Sequence, residues 1–274
     1  MMLSGRRGAL HLAFSITLAG AGVAVAQDTD WVGTGVRQYR EMTAADNPAE
    51  LHVDRGGILW TARRGPKNAS LEACDLGLGL GVVKGALARL PRYFGDTDRV
   101  EDLESRLLTC MVTLQGLDAA TVKKGRFGTP AEHSDLEALA AWIASESRGA
   151  RVEISLEHPK MREAYRVGER IFYRRAGPHD FSCAGCHTQD EKRIRLQELP
   201  NLTTAEGARE SWTTWPAYRL FQGELRTIQW MLFVCYRNMR LPQLDYASDG
   251  SIALLVYIAA NAHGGLMDSP SVKR

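Results

Sequence analysis

Residues 181–189 read FSCAGCHTQ, and within them Cys183-Ala184-Gly185-Cys186-His187 has the CxxCH spacing of covalent c-type haem attachment. Two thiols three positions apart reach the two vinyl groups of the porphyrin as thioethers. The adjacent imidazole is delivered under the iron as its proximal ligand. A structural zinc site would need a second ligand pair of matching spacing, and a redox CxxC would sit in a βαβ setting; neither accompanies this motif. The motif predicts one haem c, attached through Cys183 and Cys186 and ligated by His187.

The start of the chain agrees with that chemistry, because c-type haem is attached after export. Arg6 and Arg7 precede the short apolar run GALHLAFSITLAGAGVAVA, which ends in the small-x-small pattern Ala24-Val25-Ala26. Residues 1–26 therefore read as a signal peptide, and the mature chain is expected in the periplasm, where disulfides persist. No later apolar stretch is long enough to span a bilayer. Without Arg6 and Arg7 the basic residues equal the 32 acidic ones. A neutral chain lacks the basic excess that a general nucleic-acid binder needs.

The two halves of the chain repeat one another. GGILWTARRGP (Gly56–Pro66) echoes GERIFYRRAGP (Gly168–Pro178), and each leads into a cysteine, Cys74 or Cys183. DLESRLLTCMVTLQG around Cys110 parallels LRTIQWMLFVCYRNM around Cys235. SDLEALAAWIA from Ser134 parallels SDGSIALLVYIA from Ser248. Three pairs in one order, offset by about 110 to 125 residues, indicate two units of one type. The expected fold is mainly α: two tandem cytochrome c-like domains, 27–150 and 151–274. Each runs from an aromatic-bearing helix through a cysteine loop to a cysteine-bearing helix and an apolar closing helix.

In the first unit the attachment motif has decayed to CDLGLG, with Gly77 in place of the second cysteine and Leu78 in place of the histidine. That unit is expected to hold no haem. Cys74 and Cys110 occupy the positions of the haem and its axial ligand, so they should lie close and pair as a disulfide, contributing about 3 to 4 kcal/mol on the chain-entropy model. Two free buried thiols are the competing arrangement. Cys235 remains unassigned. Residues 225–239 fit an amphipathic helix with Ile228, Met231, Leu232, Cys235 and Met239 on one face. From spacing alone Cys235 is a small buried hydrophobe, or a neighbour of a methionine ligand (Met231, Met239 or Met267), or itself an iron-bound thiolate.

The ordered set GERIFYRRAG, FSCAGCH, IRLQELP, TWPAYR, CYRNMR and YASDGSIALLVYIA resembles the SoxA family, the larger cytochrome subunits of the thiosulfate-oxidising Sox system. The likeness runs from about Trp31 to the carboxyl end, and the loss at CDLGLG is similar to the single-haem type. The resemblance implies that Cys183 and Cys186 hold the haem, that His187 is the proximal ligand, and that Cys235 is both distal ligand and active-site sulfur, often carried as a persulfide. It also implies a heterodimer with a small monohaem cytochrome, SoxX. The pair would oxidatively join thiosulfate to a cysteine of a carrier protein, SoxYZ, as an L-cysteine S-thiosulfotransferase. The rival expectation is a non-catalytic electron carrier with His/Met ligation.

Forming that S–S bond is a two-electron oxidation and needs an electron sink beside a nucleophilic sulfur. Arg240, with Arg237 near it, has the chemistry to neutralise a sulfonate-bearing anion, although a solvated helix end also favours arginine. The family places an arginine one turn before the distal cysteine, where this chain has Met231. Arg162, Arg166, Arg170 and Arg174 form a basic stripe that reads as a solvated face or a docking surface. Trp212, Trp215 and Tyr218 read as core or haem-wall packing. His133, His158, His179 and His263 carry no assigned role.

Overall fold

Two long helix pairs organise the chain, and each pair meets at a glycine. The computed structural model describes residues 46–194 and 197–273, with isolated helical positions at 35, 38 and 42. The expected signal segment 1–26 and the start of the family likeness near Trp31 lie outside the described residues. In chain order, α1 (Ala49–Thr61) leads through the Cys74 loop to a hairpin of β1 (Arg92–Phe94) and β2 (Arg99–Glu101). Then come α2 (Leu103–Thr113), α3 (Ala119–Lys124) and α4 (Asp135–Ser145). The second half starts with α5 (Pro159–Tyr173) and the single turn α6 (Ala184–His187), followed by the short hairpin β3 (Arg193–Ile194) and β4 (Gln197–Glu198) and by α7 (Ala205–Trp212). A hairpin of β5 (Ala217–Arg219) and β6 (Glu224–Arg226) then feeds α8 (Ile228–Asn238) and α9 (Asp249–Asn261). The last strand, β7 (Ser271–Lys273), joins β5 in parallel.

Helix α1 packs on α4, and α5 packs on α9. A Cβ on Gly56 would stand 2.1 Å from the Ala138 carbonyl oxygen, and one on Gly168 would stand 2.0 Å from that of Ala253. In both crossings the next neighbour is the Cβ of an aromatic residue four positions on, Trp142 or Tyr257. Backbone therefore touches backbone at equivalent points, and no larger residue fits without moving a helix. The turns after α1 and α5 match as well. Gly65 and Gly177 both have left-handed φ, 67° and 73°. The flanking residues Arg64 and Ala69, or Ala176 and Phe181, exchange backbone hydrogen bonds. Gly65 lies against the Gln115 carbonyl and Gly177 against the Arg240 carbonyl, in each case five residues beyond the helix cysteine.

Capping sets where these helices begin. Asp102 accepts from the Ser105 amide at 2.9 Å while the Ser105 hydroxyl accepts from the Asp102 amide, a reciprocal box that starts α2. Thr227 caps α8, and Ser134 and Ser248 cap α4 and α9. The amphipathic pattern extends a helix back to Leu225, but the structure starts it at Ile228. Residues 224–226 are strand β6, paired with β5, and Thr227 terminates the strand and caps the helix. The hydrogen-bond ladder outweighs the helical spacing there.

The seam between the halves is polar and buried. Glu104 of α2 accepts from the Thr227 hydroxyl at 2.9 Å and the Tyr246 hydroxyl at 2.8 Å. Burial, with Asp102 adding to it, holds the Glu104 carboxyl well above its usual range. The Gln229 amide reaches Asp102 at 2.9 Å. Arg226 reaches Glu137 at 3.2 Å and donates to the Gly128 carbonyl at 3.0 Å. At the far end the chain returns: the Gly149 amide donates to the Met267 carbonyl and the Met267 amide to that of Ala150. One continuous apolar core runs beneath, with Leu107, Leu139, Ile143, Phe172, Leu254 and Leu255 buried in it. Trp212 and Trp215 are buried, and Tyr218 is half-buried with its ring 6.1 Å from that of His52. The arginine stripe on α5 is exposed, and Arg166 and Arg170 both face Glu163.

Two outcomes test this arrangement. Gly168→Ala should force α5 from α9 and lower stability by about 1–3 kcal/mol, read from the denaturant midpoint by circular dichroism. Burial pushes the Glu137 carboxyl up to about 7, against the opposing pull of Arg226. A folded-state value above the unfolded one gives a contribution that is full at low pH and lost as pH rises through about 7. The stability of Glu137→Gln relative to the native chain should therefore improve between pH 5 and pH 8 in paired unfolding curves. Parallel curves would rule the assignment out.

Candidate functional site

The α6 turn gathers Cys183, Cys186 and His187 by simple helical geometry, since positions i, i+3 and i+4 share one face. Its amides are anchored locally: those of Cys186 and His187 donate to the Cys183 carbonyl, and that of Gly185 to Ser182. The loop that follows folds back on the turn. The Leu202 amide donates to the His187 carbonyl at 2.9 Å, and His187 Nδ1 lies 2.8 Å from the Pro200 carbonyl. A carbonyl only accepts, so Nδ1 carries the proton and Nε2 keeps its lone pair. Burial also pulls the His187 imidazolium below its ordinary value, against that carbonyl. The imidazole is held neutral, in one tautomer and one orientation, as a proximal iron ligand must be.

Cys235 approaches from α8. Cys183, Cys186 and Cys235 are all unpaired and partly buried. Burial pushes the Cys183 thiol up to about 12, and the neighbouring Cys235 and Cys186 add to the effect. The Cys235 thiol is raised by burial and by Cys186. The Tyr236 hydroxyl, also buried, feels Cys183 and Cys235. The helix cysteine thus lies near enough to the attachment cysteines for their charges to be felt. Left to itself the pocket disfavours a thiolate, so a cation beside Cys235 is what would ionise it.

The residues present fit a haem c: two free thiols at thioether spacing, an imidazole with its outer nitrogen tied back, and a sulfur delivered from a second helix. The α8 wall fits too. Met231, Leu232, Phe233, Val234 and Cys235 are apolar and only half-buried, whereas Arg106, Leu107, Leu108 and Cys110, four of the five matching places in α2, are buried. In the first half, Cys74 and Cys110 are joined as a disulfide with Cα atoms 5.6 Å apart, and both are buried. Asp75 stabilises the CDLGLG loop there by accepting from the Gly77 and Gly79 amides.

The other residues singled out by sequence fall at different places. Met231 is one helical turn before Cys235 on the same face, and its counterpart in α2 is Arg106, buried and 3.9 Å over the Phe94 ring. Met239 is the C-cap residue of α8. Met267 is buried where its backbone pairs with Gly149 and Ala150. Arg237 leans over Phe233, at 5.8 Å from the ring. Arg240 has an exposed side chain, left-handed φ of 52°, and a carbonyl pressed against Gly177 in the turn that leads to the attachment motif. Sequence reasoning missed Pro200, because a backbone acceptor has no side-chain signal. It also missed Tyr236, whose aromatic ring on the Cys235 helix was the only cue.

A family model described as SoxA/TsdA, cytochrome c domain matches residues 55–152. The chain is 50% identical to the L-cysteine S-thiosulfotransferase subunit SoxA of Hydrogenophilus thermoluteolus, over 87% of this chain and 87% of that protein. A SoxA subunit of Hydrogenobacter thermophilus is 32% identical, over 83% of this chain and 82% of its own length. The crystal structure of SoxXA from P. pantotrophus superposes with a TM-score of 0.70 at 24% identity, covering 86% of this chain and 84% of that one. That likeness establishes a cytochrome c-like fold. Among the described residues, no helix is long and apolar enough to cross a membrane.

Removing the disulfide with Cys74→Ala and Cys110→Ala, whose positions are 36 apart, should cost about 4 kcal/mol by the loop-closure relation. Denaturant unfolding checks it, and the haem absorbance of the same protein should not change.

Proposed function

Because the chain belongs to the SoxA family of L-cysteine S-thiosulfotransferase subunits, we propose that Cys235 and His187 would hold the iron of a single haem c, and that Cys235 is also the sulfur-handling residue. The haem would be attached through Cys183 and Cys186 in a domain spanning 151–274, preceded by a haem-free cytochrome c-like domain, 27–150, and an export signal, 1–26. The observation that carries the reading is the convergence of Cys235 on the attachment cysteines beside an imidazole whose Nδ1 is bonded to Pro200. The tandem organisation draws support from the equivalent glycine crossings and turns, and from the family match over 55–152, the half without CxxCH. The Cys74–Cys110 bond takes the place that haem and ligand would occupy in the other half.

The reaction joins the outer sulfur of thiosulfate to a cysteine thiol of a SoxYZ-like carrier, forming one S–S bond and releasing one proton and two electrons. The haem, when bound, supplies the one-electron redox chemistry by which those electrons leave toward a SoxX-like monohaem partner in the heterodimer. Cys235 presents its sulfur in a half-buried pocket, where transferred sulfur is shielded from bulk water and loading as a persulfide is feasible. His187, tied through Nδ1 to the Pro200 carbonyl, holds its Nε2 lone pair in one orientation. Arg240, exposed and with its own carbonyl against Gly177, would neutralise the sulfonate end. With Met231 where the family has an arginine, that charge falls more heavily on Arg240. The setting for this chemistry is the periplasm.

Cys235→Ala, assayed with the partner cytochrome, the carrier protein and thiosulfate, should lose activity by more than about a thousandfold. It should also lose the low-spin thiolate signature of the oxidised haem, with one haem per chain retained. An unchanged spectrum and rate would leave a His/Met electron carrier in its place.

A further inference from the structure

A second group of ligating side chains lies at the seam between the halves, away from the attachment motif. His52 comes from α1, His133 from the segment just before the α4 cap, and Glu224 from β6. One donor atom from each lies within 4.8 Å of the other two. The imidazoles of His52 and His133 meet edge-on with centroids 5.2 Å apart. His52 and Glu224 are buried, Glu224 completely, while the His133 side chain is 47% exposed.

Glu224 is the unusual member. His133 Nδ1 is 3.3 Å from its Oε2 in hydrogen-bonding geometry. The same nitrogen is 3.2 Å from Oε1 but out of line, so Oε1 is enclosed with no hydrogen-bond partner among the described residues. An orphaned buried carboxylate oxygen is costly and calls for a missing partner. The two arginines whose charge reaches His52 are engaged elsewhere: Arg226 with Glu137 and the Gly128 carbonyl, Arg55 with Asp135 and the Ser134 carbonyl. Two imidazoles and one carboxylate form a donor set that suits a borderline divalent ion, with one coordination position left for water. Around a tetrahedral zinc ion, donor atoms stand about 3.4 Å apart. The half-exposed His133 is free to make the small rotation required, and its exposure gives the ion a way in.

We propose that His52, His133 and Glu224 form a structural binding site for one divalent cation of the zinc class, distinct from the haem iron. The ion ties β6 to α1 and to the start of α4. Since Thr227 follows β6 directly and caps α8, the same clamp fixes the origin of the helix that carries Cys235.

The test uses the untagged, haem-loaded chain, stripped with a chelator and titrated with Zn2+ by calorimetry. One equivalent should bind per chain, in addition to the haem iron counted by elemental analysis. Saturation at 100 times Kd should raise Tm by about 5 °C or more. His133→Ala, at an exposed position where folding is not at stake, should weaken binding by more than about a hundredfold and abolish the Tm rise. Glu224→Gln should do likewise, with the Soret spectrum of both variants unchanged. His263→Ala, an exposed histidine elsewhere, should bind as the native chain does. Failure of the native chain to bind, or equal affinity in native and His133→Ala protein, would overturn the proposal. Neither result touches the assignment of Cys235.

Discussion

The backbone contact of α5 on α9 at Gly168 is the constraint on which the second half depends. Because the Ala253 carbonyl sits where a Cβ would be, the two helices approach as closely as peptide groups allow. That contact fixes the exit of α5, and hence the left-handed turn at Gly177, which rests on the Arg240 carbonyl at the end of α8. The attachment motif starts six residues beyond that glycine and is delivered to the side of α8 that bears Cys235. A chain of backbone contacts thus links a helix crossing to the position of a ligand.

The same scaffold in the first half, with Gly56 on Ala138 and Gly65 on Gln115, has been put to another use. Cys74 and Cys110 close on each other, and the α2 face that corresponds to the open α8 wall is buried. Two environments arise from one architecture, and at CDLGLG Gly77 and Leu78 stand where the second half has Cys186 and His187. The seam between them is held by partly desolvated carboxylates: Glu104 receives hydroxyl donors from Thr227 and Tyr246, and Glu137 faces Arg226. Such groups are costly to bury singly and tolerable when satisfied, so they specify one docking of the halves rather than many.

Much of this was legible in the residues. CxxCH announced the turn that gathers Cys183, Cys186 and His187, the repeats announced paired helices, and the Cys74 and Cys110 positions pointed to their bond, because these signals are local or periodic. The start of α8 was misplaced, since strand pairing of residues 224–226 is a nonlocal contact that competes with helical spacing. The Pro200 carbonyl was invisible because every residue has one. His52 and Glu224 carry no motif: they are distant in sequence and meet only when β6 lies against α1.

By itself, the sequence determined the chemical inventory: two cysteines and a histidine at CxxCH spacing, a further cysteine one helix away, and a first repeat with glycine and leucine at the matching places. Covalent spacing and side-chain chemistry suffice for that. Only the tertiary structure decided which of these groups meet, which tautomer His187 holds, and how the halves lock at buried carboxylates. Those outcomes rest on long-range backbone packing and desolvation, and neither is written in any single stretch of the chain.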